Sequence, residues 1–273
     1  MAVIAISRQV AALGDEIAED AAKLLGYKFF NRKLIEQRII ELGFSADKLK
    51  KYDERKPGFF ASLAKDRDEY LDYLQTAVLE AASEGNCILI GRGSFVILEG
   101  VPNLVSVRCI APYEMRKERL KNEFKWDEKK AQQRILESDT NRQGFHKSFF
   151  NIENEEPSHY HLIINTGLLD VHASAKAIAG ACNELMSPEI EKAGQKKIEQ
   201  LLLGQRIVNW LAFDYRVNIN FLRASVDDKT ITLQGVADSA AIVDKAVTLT
   251  SEKYTDKKVI SCISIVQDFK AYP

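Results

Sequence analysis

Residues 3–27 read VIAISRQVAALGDEIAEDAAKLLGY. The opening run Val3-Ile4-Ala5-Ile6 is too short for a helix and β-branched enough to predict a buried strand. Beyond it, Ile17, Ala18, Ala21, Ala22, Leu24 and Leu25 recur at helical spacing up to Gly26, a residue suited to a helix C-terminus. A strand, a turn over Ser7 to Gly14 and a helix form the geometry in which backbone N–H groups and a helix N-terminus face an anion.

The turn itself lacks the standard phosphate-loop chemistry. The pattern G-x-x-x-x-G-K-[ST] supplies glycines for close backbone approach, a lysine for the β/γ-phosphates and a hydroxyl for Mg²⁺. Here Gly14 is the single glycine, no lysine is present, and Asp15-Glu16 follow. The architecture points to a phosphate site while the residues withhold its usual groups.

A second apolar strand is predicted at Cys87–Ile90, after a core helix over Tyr70–Ala82. It ends in Gly91-Arg92-Gly93-Ser94. In open α/β sheets the ligand crevice lies outside the strand C-termini, and a guanidinium there offers bidentate donors to phosphate. The bland alternative is a turn with an exposed arginine; position and residue type together favour Arg92, Gly91 and Gly93 as site residues. A third strand, Leu104–Ile110, runs through Ala111-Pro112 into a charged helix where Arg116 and Arg119, three apart, share a face. Solvation alone would also explain that helix. The same holds for Arg32, Lys33 and Arg38 on the helix read over 32–42.

A helix over Trp126–Lys147, a strand at Leu162–Ile164 and a helix over Val171–Leu185 complete the first part. Phe44–Phe60 reads as irregular, with a turn at Pro57-Gly58. His159 and His161 could face one way, but no third ligand accompanies them, so no metal site is expected. Pro188 and the polar run after it mark a boundary. The remainder reads as a helix (198–211), a strand (217–226), a hairpin turn at Asp227-Asp228-Lys229 into Thr230–Leu233, a helix (238–254) with Asp238 as N-cap, and a strand (259–266).

The net charge of −1 argues against broad or specific nucleic-acid binding and leaves room for a local basic groove. The four cysteines show no metal-ligand rhythm and read as reduced, mostly buried thiols. With no signal-like opening and no apolar run of spanning length, a cytoplasmic location is expected.

The string from Ser7 to Glu36 resembles the opening of the cytidylate kinase-like family, relatives of the nucleoside-monophosphate kinases. Members typically read S-R-[EQ]-x-G-S-G-G-x-x-I-A; Ser7, Arg8, Gln9, Gly14, Ile17 and Ala18 match, and Ala11, Ala12 and Leu13 replace G-S-G. The G-R-G turn, the A-P-x-x-x-R-x-x-R approach to a lid, the Asp139-x-x-Arg142 pair and Y-H-L-x-I-N-T near residue 160 also resemble the family. The resemblance covers residues 1–187 and implies a P-loop NTPase-like parallel sheet with helices on both faces.

It further implies ATP with Mg²⁺, phosphates held at Ser7, Arg8, Gln9, Ala11, Ala12, Leu13 and Gly14, and acceptor or transferring phosphate at Arg92 and Arg142. Arg116 and Arg119 would close from the lid, and Asp139 would orient the acceptor or a metal-bound water. Residues 195–273, beyond a linker at 188–194, resemble the small α+β BON domain, which implies attachment to a partner, a ligand or a membrane surface, or homo-oligomer formation.

Three functional classes follow. The first is a phosphotransferase moving the ATP γ-phosphate to a nucleoside monophosphate or related small acceptor. The second is a nucleotide-binding sensor that has lost turnover and signals through the BON-like domain. The third is an assembly protein on an inherited scaffold. The enzyme reading is set ahead of the sensor.

Overall fold

The computed structural model describes residues 1–50 and 64–266. Two units are apparent, Met1–Gln195 and Lys196–Pro273.

In the first unit, five parallel strands take the order β2-β3-β1-β4-β5: β1 Val3–Arg8, β2 Lys28–Phe30, β3 Cys87–Ile90, β4 Leu104–Ile110 and β5 Leu162–Asn165. β1 is central, pairing with β3 from Val3↔Cys87 and with β4 from Val3↔Leu104. Near-continuous apolar runs such as Cys87–Ile90 are what a strand covered on both faces requires. One face packs α1 (Gly14–Leu25) and α8 (Val171–Leu185) through Ile17, Ala18, Ala21, Ala175, Ile178 and Cys182 onto Ile4, Ile6, Ile90 and Val107. The other face receives α4 (Ala64–Ser83) against β3 and the short α5 (Ser94–Ile97) against β1. The expected parallel sheet with helices on both faces is the observed one. Because the chain leaves β1 first toward β2 and later crosses to β4, the strand order reverses beside β1, and that switch point is where such sheets hold ligands.

The connecting helices α2 (Arg32–Glu41), α6 (Tyr113–Phe124) and α7 (Glu128–Phe150) flank the C-terminal ends of the strands. Ser45 caps a short α3 (Ala46–Leu49), inside a stretch read from sequence as irregular; its side chain accepts from Lys48 N, a local bond that outweighs the high charge. The turn expected at Pro57-Gly58 lies outside the described residues.

Residues 188–194, read as a linker, are helical: α9 runs unbroken from Pro188 to Asn209. Proline at the first helical position has no N–H to lose, and Glu189 and Glu191 in the first turn suit the helix dipole, so a boundary-like composition is also a helix start.

The second unit carries a three-stranded sheet, β6 (Asn220–Val226), β7 (Thr230–Ala237) and β8 (Lys258–Ile265), with β6 antiparallel and β8 parallel to β7. The Asp227 carboxylate accepts from Lys229 N and Thr230 N at 2.8 and 2.7 Å, which builds the hairpin turn. Helix α10 spans Ala240–Lys253, and Ser239 rather than Asp238 is its N-cap, without a side-chain bond. Ile207, Leu211, Ile231, Leu233 and Ala246 form this unit's own core. Among the described residues, no helix is long and apolar enough to cross a membrane.

Candidate functional site

The turn after β1 keeps a phosphate-loop shape without its glycines. Ala11 and Leu13 both adopt left-handed backbone, φ 58 and 56, where an L-residue costs about 1–2 kcal/mol. Leu13 is the N-cap of α1 and supplies no side-chain bond, so no protein side chain caps the first turn from that position. Gly14 is required for space: a Cβ there would stand 2.7 Å from Cβ of Arg8. The Arg8 side chain passes over Gly14, donates Nε to Asp15 Oδ2 at 3.3 Å and sets its guanidinium against Gly91, whose φ of 74 also demands glycine. Asp15 and Glu16 lie exposed on the first turn of α1, with Asp15 partly neutralised by Arg8.

Arg116 and Arg119 reach this loop from α6. Arg116 Nε donates to Val10 O at 2.9 Å, and its Nη2 donates to both oxygens of Asp139 at 2.8 and 2.9 Å. Arg119 Nη1 donates to Ala11 O at 3.0 Å and to Thr166 Oγ1 at 2.9 Å, while Nη2 donates to Thr166 O at 2.6 Å. Burial lowers the Arg119 pKa, and the Glu16 carboxylate opposes that shift. The two arginines thus hold the Val10 and Ala11 carbonyls, while Ala12 N donates back to Gln9 O at 3.4 Å within the turn. Gln9 adds a brace, its side-chain oxygen accepting from Ala111 N at 3.1 Å.

A second cluster surrounds Arg92. Its backbone has φ 56, its side chain is 1% exposed, and it donates Nη1 to Tyr70 Oη at 2.9 Å and Nη2 to Glu36 Oε1. Arg32 Nε donates to the same Glu36 oxygen at 2.6 Å. Gly93, φ 69, caps α5 and lies against the Phe150 ring. Arg142 sits one turn beyond Asp139 on α7 and donates to Ser138 Oγ, with His146 Nδ1 2.7 Å from the Arg142 carbonyl. Arg38 donates to Glu84, which Lys28 also reaches; these contacts hold the Glu84 pKa down, Lys28 most strongly.

The structure therefore gathers Arg8, Gln9, Ala11, Leu13, Gly14, Arg116, Arg119 and Asp139 about the turn after β1, with Arg116 bonded to Val10 O and Asp139 and Arg119 to Ala11 O. Gly91 and Arg92 adjoin it through Arg8. Sequence reasoning missed Arg108 and Glu36, and gave Thr166 no role of its own. Arg108, buried on β4, donates to Ser7 Oγ at 3.3 Å and Glu155 Oε1 at 3.2 Å and lies over Tyr160. A lone arginine inside the apolar run LVSVRCI was its available signal. Glu36 carried none, because a helix-face glutamate is an ordinary residue, whereas Thr166 is the threonine that closes the Y-H-L-x-I-N-T string.

A parallel α/β sheet with a strand–turn–helix at its switch point belongs to the α/β class in which that position is an anion-binding geometry. The sequence profile of the Cytidylate kinase-like family matches residues 3–168, and the chain belongs to that family. Membership places it among nucleotide phosphotransferases. It is 27% identical over 147 residues to a cytidylate kinase of Methanocaldococcus jannaschii, covering 53% of this chain and 76% of that one. A crystal structure of an uncharacterized protein from Eubacterium ventriosum shares the fold, with a TM-score of 0.53 at 19% identity over 67% of this chain and 99% of that chain.

Proposed function

We propose that the protein transfers the ATP γ-phosphate to a nucleoside monophosphate, with CMP the first acceptor to try. The observation that carries this reading is the loop: Ala11 and Leu13 hold left-handed backbone at an uncapped helix start, with Val10 O and Ala11 O tied back by Arg116 and Arg119. A strained conformation kept without glycines signals a shape retained for use.

ATP would supply the phosphoryl group, and Mg²⁺ bound with it would shield its charge. Among the described residues no group of three or more His, Cys, Asp or Glu is arranged for a metal. Mg²⁺ that arrives with phosphate needs only one or two carboxylates, and Asp15 at the loop exit is of the right kind. The loop N–H groups would take the donor phosphates. Arg116 and Arg119 would stabilise charge on the transferring group, which loose transition states place on its equatorial oxygens. Arg92 and Arg142 would receive the acceptor phosphate, and Asp139, fixed by Arg116, would orient the acceptor or a metal-bound water.

A second reading, a nucleotide-binding regulator without turnover, is favoured by the carboxylates Asp15 and Glu16 beside the loop. There, each would repel a close phosphate by about 1 kcal/mol or more. The 195–273 segment is read as a BON-like attachment module; its helix–strand–strand–helix–strand order supports that.

Thermal melting with ATP–Mg²⁺, CMP and both together tests the reading. A ligand at a hundred times its Kd adds about 2.7 kcal/mol, a shift of roughly 5–10 °C for a domain of this size. A larger shift with both than with either supports transfer. A shift with ATP alone supports the regulator, and none with any ligand contradicts both.

A further inference from the structure

Two arginines from different elements converge on one carboxylate oxygen. Arg32, at the start of α2, and Arg92, at the end of β3, both donate to Oε1 of Glu36. Arg92 is buried, whereas the Glu36 side chain keeps 23% exposure, so the carboxylate stands between a buried cation and water. A buried guanidinium left without an anion is strongly destabilising. The buried Arg92 guanidinium therefore needs a negative group beside it whether or not a ligand is present.

We propose that Glu36 is an internal counter-anion occupying the acceptor-phosphate position, and that it selects acceptors by charge. The inference rests on the reading that Arg92 receives the acceptor phosphate. A phosphate monoester carries close to two negative charges and three acceptor oxygens at neutral pH, against one charge and two oxygens on Glu36. Between two guanidinium groups the dianion wins the exchange; a neutral nucleoside or a monoanion does not. Once displaced, Glu36 has a path to water, so its release leaves no charge buried and unpaired.

The test is calorimetric titration of the full chain and its Glu36→Gln and Glu36→Asp variants with CMP, the methyl ester of CMP, cytidine and ATP–Mg²⁺. Glutamine removes the counter-charge, and aspartate withdraws it by one methylene. Both variants are expected to bind CMP about tenfold tighter than wild type, with ATP–Mg²⁺ affinity unchanged. Wild type should bind CMP at least tenfold tighter than its monoanionic methyl ester or cytidine, a comparison that needs no variant to fold.

Equal or weaker CMP binding by the folded variants, or equal wild-type binding of CMP and its methyl ester, overturns the role of Glu36 while the phosphotransferase reading stands. If no form binds CMP, the acceptor placement falls and this inference with it; ATP–Mg²⁺ binding then shows whether the donor site survives.

Discussion

Arg119 Nη1 lies 3.0 Å from the carbonyl oxygen of Ala11, the loop residue held at φ 58. A glycine would adopt that backbone without penalty; an alanine adopts it against about 1–2 kcal/mol. Charge-assisted hydrogen bonds are worth about 1.5–3 kcal/mol each, enough to hold the strained peptide. Arg116 does the same for Val10 O. The glycine-poor loop thus keeps its shape through side chains that arrive from α6 rather than through its own flexibility.

Ala11→Gly is therefore expected to stabilise the fold. Relief of the left-handed strain, less the added entropy of the unfolded chain, should amount to about 1 kcal/mol, a rise of roughly 2–4 °C in Tm. A drop in Tm of that size would show that the Ala11 conformation is not strained.

Arg119→Ala removes bonds to Ala11 O, Thr166 Oγ1 and Thr166 O together. We expect ATP–Mg²⁺ binding to weaken more than tenfold and stability to fall by about 2 kcal/mol, and Arg119→Lys to recover only part because a single ammonium cannot replace the fork. Titration calorimetry and a denaturant melt read the two effects separately. ATP–Mg²⁺ affinity unchanged in Arg119→Ala would remove Arg119 from the donor site.

Burial pushes the thiols of Cys87 and Cys109 up to about 12 and raises that of Cys182, whereas Cys262 is exposed. At pH 8 a thiol reagent should label Cys262 quickly and the other three only on unfolding. Rapid labelling of Cys87 or Cys109 in the native protein would refute their burial. The same shifts carry a pH dependence. Unfolded thiols ionise near pH 8.5 and the buried ones near 12, so this contribution to stability is complete below about pH 8.5 and is lost as pH rises toward 12. Chemical melts between pH 8 and 10 should show the decline.

Residues 188–195 of α9 belong to the first unit. Glu191 Oε2 lies 2.5 Å from the Met1 amine, and Gln195 Nε2 donates to Ser83 O at 3.1 Å. A chain ending at residue 195 should melt cooperatively and several degrees above one ending at 187. Equal midpoints would show that residues 188–195 contribute nothing to that unit.

Much of the first unit was legible because its elements are written in local pattern. Val3–Ile6, Cys87–Ile90 and Leu104–Ile110 are apolar runs bounded by glycine, proline or charge, and α8 follows from simple helical periodicity. The 188–194 stretch misled because proline and polar residues serve a helix start as well as a linker. At the site, the arginines were visible as residue types, but their partners were not. That Arg92 meets Glu36, or Arg119 the Ala11 carbonyl, depends on contacts 56 and 108 residues apart in the chain. Local spacing carries no record of such pairs.

The most direct measurement is a phosphorus NMR time course of the full chain with ATP–Mg²⁺ and CMP. Transfer predicts that ADP and CDP appear in equal amounts, and that neither forms when CMP is replaced by cytidine. ADP with free phosphate and no nucleoside diphosphate from CMP, or no turnover with CMP and the other nucleoside monophosphates, would contradict the phosphotransferase account.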